Sequence, residues 1–179
     1  RPEQCMQDAK SAMRWVKSNA EVFHIDTTKI VASGGSAGGQ LAVSLSALPE
    51  INDPADNLLV SAVPAVLVLF NPALALRSIA EEEKIFGKNR AKLLPAYHPS
   101  PLIPPAVIFH GEADSTVLVS SIRKFCKNAN AAGANTELIT YDGQPHGFFN
   151  YKNGTNSFYY STLEKADEFL VKQHIISKK

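Results

Sequence analysis

The apolar positions of this chain fall into two periods. From Glu3 to Ala20 they recur at helical spacing, with Cys5, Met6, Ala9, Met13, Val16 and Ala20 on one stripe and Gln7, Lys10, Arg14 and Lys17 mostly on the other. Asp8 and Arg14 read as a solvated face, and Trp15 as a core or domain-interface residue. After a loop through His24-Ile25-Asp26-Thr27-Thr28, the short run Lys29 to Ser33 predicts a strand. The helix-forming run Leu41, Ala42, Val43, Leu45 predicts a helix from Ser36 to about Leu48, ended by Pro49. Past the polar loop Asn52 to Asn57, the valine-rich stretch Val63 to Phe70 predicts a strand buried on both faces, with Pro64 at its start.

Residues 71–105 are less regular. They hold Asn71-Pro72, a short helical segment around Leu76 to Phe86 and a proline-rich exit. The stretch exceeds the about 12–15 residues of an ordinary connection, so it reads either as a lid, cap or binding insertion or as a surface excursion without a role. Ala106 to Phe109 predicts a further strand. A helix follows, carrying Val119, Ile122, Phe125, Cys126 and Ala129 on one stripe and stopping at Gly133. Thr136 to Tyr141 predicts the last strand, and Ser157 to Gln173 the last helix. One helix and then four strand-and-helix units predict an α/β fold: a parallel sheet with helices on both faces.

Composition narrows the class. The chain has 179 residues, 45% of them hydrophobic, and a formal net charge of +1. That suits a single α/β domain over 1–179 and gives no reason to expect a nucleic acid or an anionic membrane as partner. No uncharged run approaches the roughly 20 apolar residues that span a bilayer. Cys5 and Cys126 form neither a disulfide framework nor a metal spacing, and each reads as a small buried hydrophobe on a helix, with a single bridge between them left open. Asn153-Gly154-Thr155 is a glycosylation sequon that matters only in a secretory eukaryotic setting. Because the sequence opens on Arg1 and directly on a helical pattern, it is expected to begin inside a longer protein. Any targeting peptide would then lie upstream, which leaves the compartment, secreted, periplasmic or cytoplasmic, undetermined.

The chemistry gathers around Gly34-Gly35-Ser36-Ala37-Gly38, which fits G-x-S-x-G between a strand and a helix. In that motif the chain turns sharply and presents the serine at the tip. Glycines are expected where a Cβ would collide or φ is positive, and the helix start adds amide donors near the serine oxygen. A flexible glycine loop is the bland alternative. A phosphate cradle fails, because no Gly-Lys-Ser/Thr closes the segment. Reactive residues of such sheets gather at the carboxyl ends of strands, where Ser36, Asp114 and His146 fall in that order. A serine hydroxyl needs a base within reach, and the base an orienting carboxylate. Asp114 could instead cap the helix starting near Ser115, and Glu112 is the alternative acid. His110 reads as structural, and His24, His98 and His174 have no catalytic company.

The chain resembles the carboxyl-terminal two-thirds of an α/β-hydrolase of the acetyl esterase/lipase type, near the hormone-sensitive-lipase-like and feruloyl or acetyl-xylan esterase branches. The resemblance is carried by residues 8–15 (Asp-Ala-Lys-Ser-Ala-Met-Arg-Trp), Gly34 to Gly39, Asn71-Pro72, His110-Gly111-Glu112-Ala113-Asp114 and His146-Gly147-Phe148-Phe149-Asn150. It implies Ser36 as nucleophile, His146 as base, Asp114 as orienting acid and the Ala37 amide as an oxyanion donor. It further implies a serine esterase acting on short acyl esters, those of carbohydrates among them, without a metal or organic cofactor. The family's His-Gly-Gly-type oxyanion loop does not precede Ser36, and the amino-terminal strands of the sheet are missing with it. One lost oxyanion donor costs about 2.7–4 kcal/mol, so a preceding segment or a partner chain is expected to complete the enzyme. The competing readings are a prolyl-oligopeptidase-like serine peptidase and a hydrolase-like domain that only binds.

Overall fold

Four parallel strands frame the computed structural model, which describes residues 1–151 and 155–178. They are β1 (Val31–Gly35), β2 (Val66–Phe70), β3 (Ala106–Gly111) and β4 (Thr136–Tyr141). Their spatial order is their chain order, and each neighbouring pair is parallel. Ahead of the sheet come α1 (Pro2–Ser18) and α2 (Ala20–Phe23). The strands are linked by α3 (Ala37–Ala47), by α4 (Ile79–Phe86) with α5 (Arg90–Leu93), and by α6 (Val119–Ala131); α7 (Ser157–Lys172) follows β4. Among the described residues, no helix is long and apolar enough to cross a membrane. The expected first strand shifts forward, because Thr27–Lys29 form a 3-10 turn whose Thr28 amide donates to the Asp26 side chain.

Strand alternation divides the interior into two cores. Ala32, Leu67, Leu69 and Ile108 point to one face, where Met6 of α1, Val43 of α3 and Ile122 and Phe125 of α6 cover them. Val66, Val68, Val107 and Phe109 point to the other, against Phe148 and against Ala166 and Phe169 of α7. The near-continuous apolar runs of β2 and β3 are thus explained by burial on both sides. The 71–105 segment joins the first core through Leu74, Phe86, Leu93, Leu94 and Ile103. Glu82 anchors it from inside: one carboxylate oxygen accepts the Leu76 amide at 3.1 Å, and the other accepts the Tyr97 hydroxyl at 2.8 Å and Arg90 at 3.3 Å.

The polar side of α1 is solvated at Asp8 but not along the stripe that includes Arg14. Gln7, Lys10, Arg14 and Lys17 recur at helical spacing and donate to the backbone carbonyls of Asn52, Leu48, Val60 and Val63, respectively. Arg14 also pairs with Asp56 at 2.5 Å. The 48–63 connection has no ladder of its own, so its carbonyls need donors, and this stripe supplies them. Lys10 is 1% exposed. Burial, with the nearby Arg14 charge, pushes its ammonium pKa down to about 8. One further expectation fails at the same helix. Cys5 is exposed while Cys126 is buried, and both thiols are free. Of the two readings of Trp15 the core one does not hold: it is 58% exposed, with its ring tilted against Phe23 at 5.4 Å between centroids. Asn153 and Gly154 of the sequon lie outside the described residues.

Candidate active site

At the end of β1 the backbone reverses into α3, and the residue that absorbs the turn is Ser36, not a glycine. Its φ of 53° and ψ of −119° lie in a sparsely populated region, a strain of about 1–3 kcal/mol for a residue with a side chain. Three backbone hydrogen bonds hold it there. The Ser36 amide donates to Phe70 O at 2.9 Å, and its carbonyl accepts from the Gln40 amide at 3.2 Å and the Ala73 amide at 3.0 Å. The glycines serve close approach: a Cβ on Gly34 would run into the Gly38 carbonyl and the Gly39 amide. Ala37 opens α3, so its amide is one of the first-turn N–H groups without an intrahelical acceptor, placed beside the serine at the positive end of the helix.

Asp114 follows β3. It is buried, and its two oxygens divide the work. Oδ1 accepts the backbone amides of Thr116 and Val117, each at 2.9 Å. The capping alternative fails: α6 starts only at Val119, its N-cap is Leu118 and no side chain caps it, so Oδ1 closes the turn ahead of the helix instead. Oδ2 faces His146 Nδ1 at 2.7 Å. Burial alone would push the Asp114 carboxyl up. Hydrogen bonds from His146, the Val117 amide, Asn71 and the Thr116 amide outweigh it and hold the carboxyl below its ordinary range. Glu112, the other acid considered, is spent on an ion pair with Arg123 of α6.

His146 sits in the loop after β4. The Ala113 amide bonds Gln144 O at 3.0 Å, tying this loop to the end of β3. Gly111 permits the approach, because a Cβ there would strike the Gln144 carbonyl. Beyond the loop, Phe148 enters the second core and Phe149 packs tilted against Phe70, 5.0 Å between ring centroids. Held this way, His146 presents Nε2 to Ser36 Oγ at 3.0 Å. The three side chains singled out in the sequence therefore meet, in the order hydroxyl, imidazole, carboxylate. Such a line can draw a proton from the hydroxyl as the oxygen attacks, with the carboxylate holding the ring and its tautomer.

His110 lies beneath them, fully buried, with Nε2 donating to Val117 O at 2.9 Å and 3.4 Å from Asp114 Oδ2. Burial pushes its pKa down, which favours the neutral ring. One contact had no reading in the sequence. Asn71 was visible only as half of an Asn-Pro pair, yet its Nδ2 donates to Asp114 Oδ2 at 2.5 Å. Among the described residues, no group of three or more His, Cys, Asp or Glu could hold a metal ion.

The chain is similar to known ester hydrolases. The family model described as BD-FAE matches residues 2–128, and that of the dienelactone hydrolase family matches residues 95–174. Isoprenylcysteine alpha-carbonyl methylesterase ICME of Arabidopsis thaliana is 27% identical, over 78% of this chain and 38% of its own length. The protein named "Probable carboxylic ester hydrolase LipM" of Mycobacterium tuberculosis is 31% identical, over 66% of this chain and 32% of its own length. The chain thus spans about a third of the length of the curated relatives it matches. Thermogutta terrifontis esterase 2 superposes over the whole chain at 40% identity. The structure phosphoramylated by tabun gives a TM-score of 0.92 and the propionate-bound one 0.91, with 68% of each esterase chain covered.

Proposed function

The chain belongs to the BD-FAE family and has an α/β-hydrolase fold; from that premise we propose that the protein carrying it is a serine carboxylic-ester hydrolase of short acyl esters. Ser36 Oγ attacks the acyl carbonyl while His146 Nε2 takes its proton. Asp114 holds the imidazole and stabilises the imidazolium that forms. The oxyanion faces the Ala37 amide at the start of α3, and further donors come from outside this stretch of chain. His146 returns the proton to the departing alcohol. Water, activated by the same imidazole, then releases the acid from the acyl-enzyme.

The observation that carries this reading is the unbroken hydrogen-bonded line from Ser36 to His146 to Asp114, at 3.0 and 2.7 Å. The restriction to short acyl groups draws on the esterase 2 relative, which has been described with propionate bound. An acetylated sugar is the alcohol side we favour, on the family resemblance. In the full-length protein, Ser36→Ala is expected to abolish hydrolysis of p-nitrophenyl acetate and labelling by a fluorophosphonate. Retained turnover or labelling in that variant removes Ser36 from the role. Competition between p-nitrophenyl esters from acetate to decanoate, and acetate release from acetylated xylo-oligosaccharides, test the substrate class. A preference for the long chains would overturn it.

A further inference from the structure

We propose that Asn71 is a positioning residue for hydrolysis, acting through Asp114; this rests on the reading of Ser36, His146 and Asp114 just given. Asn71 follows β2 and is fully buried at a φ of 42°. Its backbone amide donates to Phe109 O at 2.8 Å, so the residue is fixed against β3. Its side chain then reaches Asp114 Oδ2, the oxygen that also faces His146 Nδ1. The amide can present only its nitrogen there, because the flipped orientation would set oxygen against carboxylate. Among the described residues its own Oδ1 is buried without a hydrogen-bond partner. An interior amide that leaves its acceptor unsatisfied is costly. The donor end is therefore what the position requires.

The consequence is mechanical and electrostatic. Oδ1 of Asp114 is fixed by the Thr116 and Val117 amides, and Oδ2 by Asn71. The carboxylate then cannot rotate away when His146 swings between Ser36 and the leaving group. The other titratable groups facing this carboxylate are His110 on β3 and His146 itself, with Glu112 nearby and paired with Arg123 of α6. His110 Nε2 is already engaged by Val117 O, so it does not replace the Asn71 hydrogen bond.

Two substitutions separate positioning from a plain turn role. Glycine adopts a positive φ freely and aspartate tolerates it nearly as well as asparagine, so Asn71→Gly and Asn71→Asp both keep the turn. Asn71→Gly is expected to lower kcat on p-nitrophenyl acetate by about 10- to 100-fold, the range of a hydrogen bond to a charged group, with KM nearly unchanged. In Asn71→Asp two carboxyl groups meet at the former 2.5 Å contact and share a proton. While protonated, the new side chain still donates, and activity stays near wild type at low pH. As pH rises and the pair loses that proton, the carboxylates repel, so kcat falls where the wild type is on its plateau. Circular dichroism melts confirm folding. The inference is overturned if the pH profile of Asn71→Asp superimposes on wild type, or if folded Asn71→Gly keeps kcat within about twofold, less than one such hydrogen bond is worth. Ser36→Ala assayed alongside keeps the outcomes apart: turnover there sinks the proposed function, whereas an inactive Ser36→Ala with a wild-type-like Asn71→Asp sinks only this inference.

Discussion

Single residues here do more than one job, and the two oxygens of Asp114 are the clearest case. Asp114→Asn would keep the Oδ1 turn but give His146 the wrong tautomer. We expect kcat to fall by about 10⁴ with the fold intact, as removal of the negative orienter does in a Ser-His-Asp arrangement. A loss below tenfold would move the acid role elsewhere. Lys10 makes a separate prediction. Its folded pKa of about 8 lies below the unfolded value, so between about pH 8 and 10.4 the unfolded chain binds more protons and stability rises with pH. Lys10→Met should flatten that rise, read from urea midpoints at pH 7.5, 9 and 10; an unchanged slope would contradict the assignment. Ser36, Asp114 and His146 could be picked from the sequence because each follows an apolar run that marks a strand. The Asn71 contact could not, since it joins residues 43 apart through one side-chain amide. Nor could periodicity show that the cations of α1 bond loop carbonyls in place of water.

At the level of elements, the β1–α3 corner and the 71–105 segment depend on specific interior fits. Gly34→Ala would press a Cβ into the backbone of Gly38 and Gly39. We expect it to lower stability by about 1–3 kcal/mol and to cut turnover more than substrate binding, seen as kcat falling with little change in KM. Equal kcat in a folded Gly34→Ala would show that the corner yields without moving Ser36. Glu82→Ala removes the acceptor shared by Leu76, Arg90 and Tyr97. A loss of about 1–3 kcal/mol in urea unfolding is expected, and a change below 0.5 kcal/mol, the low end for one such bond, would show the network to be dispensable. The two central strands were legible because burial on both faces leaves continuous apolar runs in β2 and β3, and β1 and β4 were legible as shorter runs bounded by turn residues. The boundaries drifted where local side-chain caps decide, as Asp26 does in delaying β1. The segment 71–105 was illegible as core because its buried residues, Leu74, Phe86, Leu93 and Leu94, are scattered among turns without a sustained period.

Across the whole molecule, β1 is hydrogen-bonded on one side alone among the described residues, to β2. An open strand edge pairs readily with another chain. The 19.4 kDa polypeptide expressed by itself is therefore expected to self-associate in a concentration-dependent way. Light scattering after size exclusion checks this, and a monomer at every concentration would show the edge to be protected. Because strand order follows chain order, the sheet has a further implication for how the protein is made. The hydroxyl and the imidazole that meet at 3.0 Å are 110 residues apart, and the ring belongs to the loop after the final strand. On the roles proposed above, a ribosome delivers the attacking group early and its proton acceptor late. Nascent chains halted anywhere before residue 146 would then carry a harmless serine, with hydrolytic competence switching on only when synthesis of this region is nearly finished.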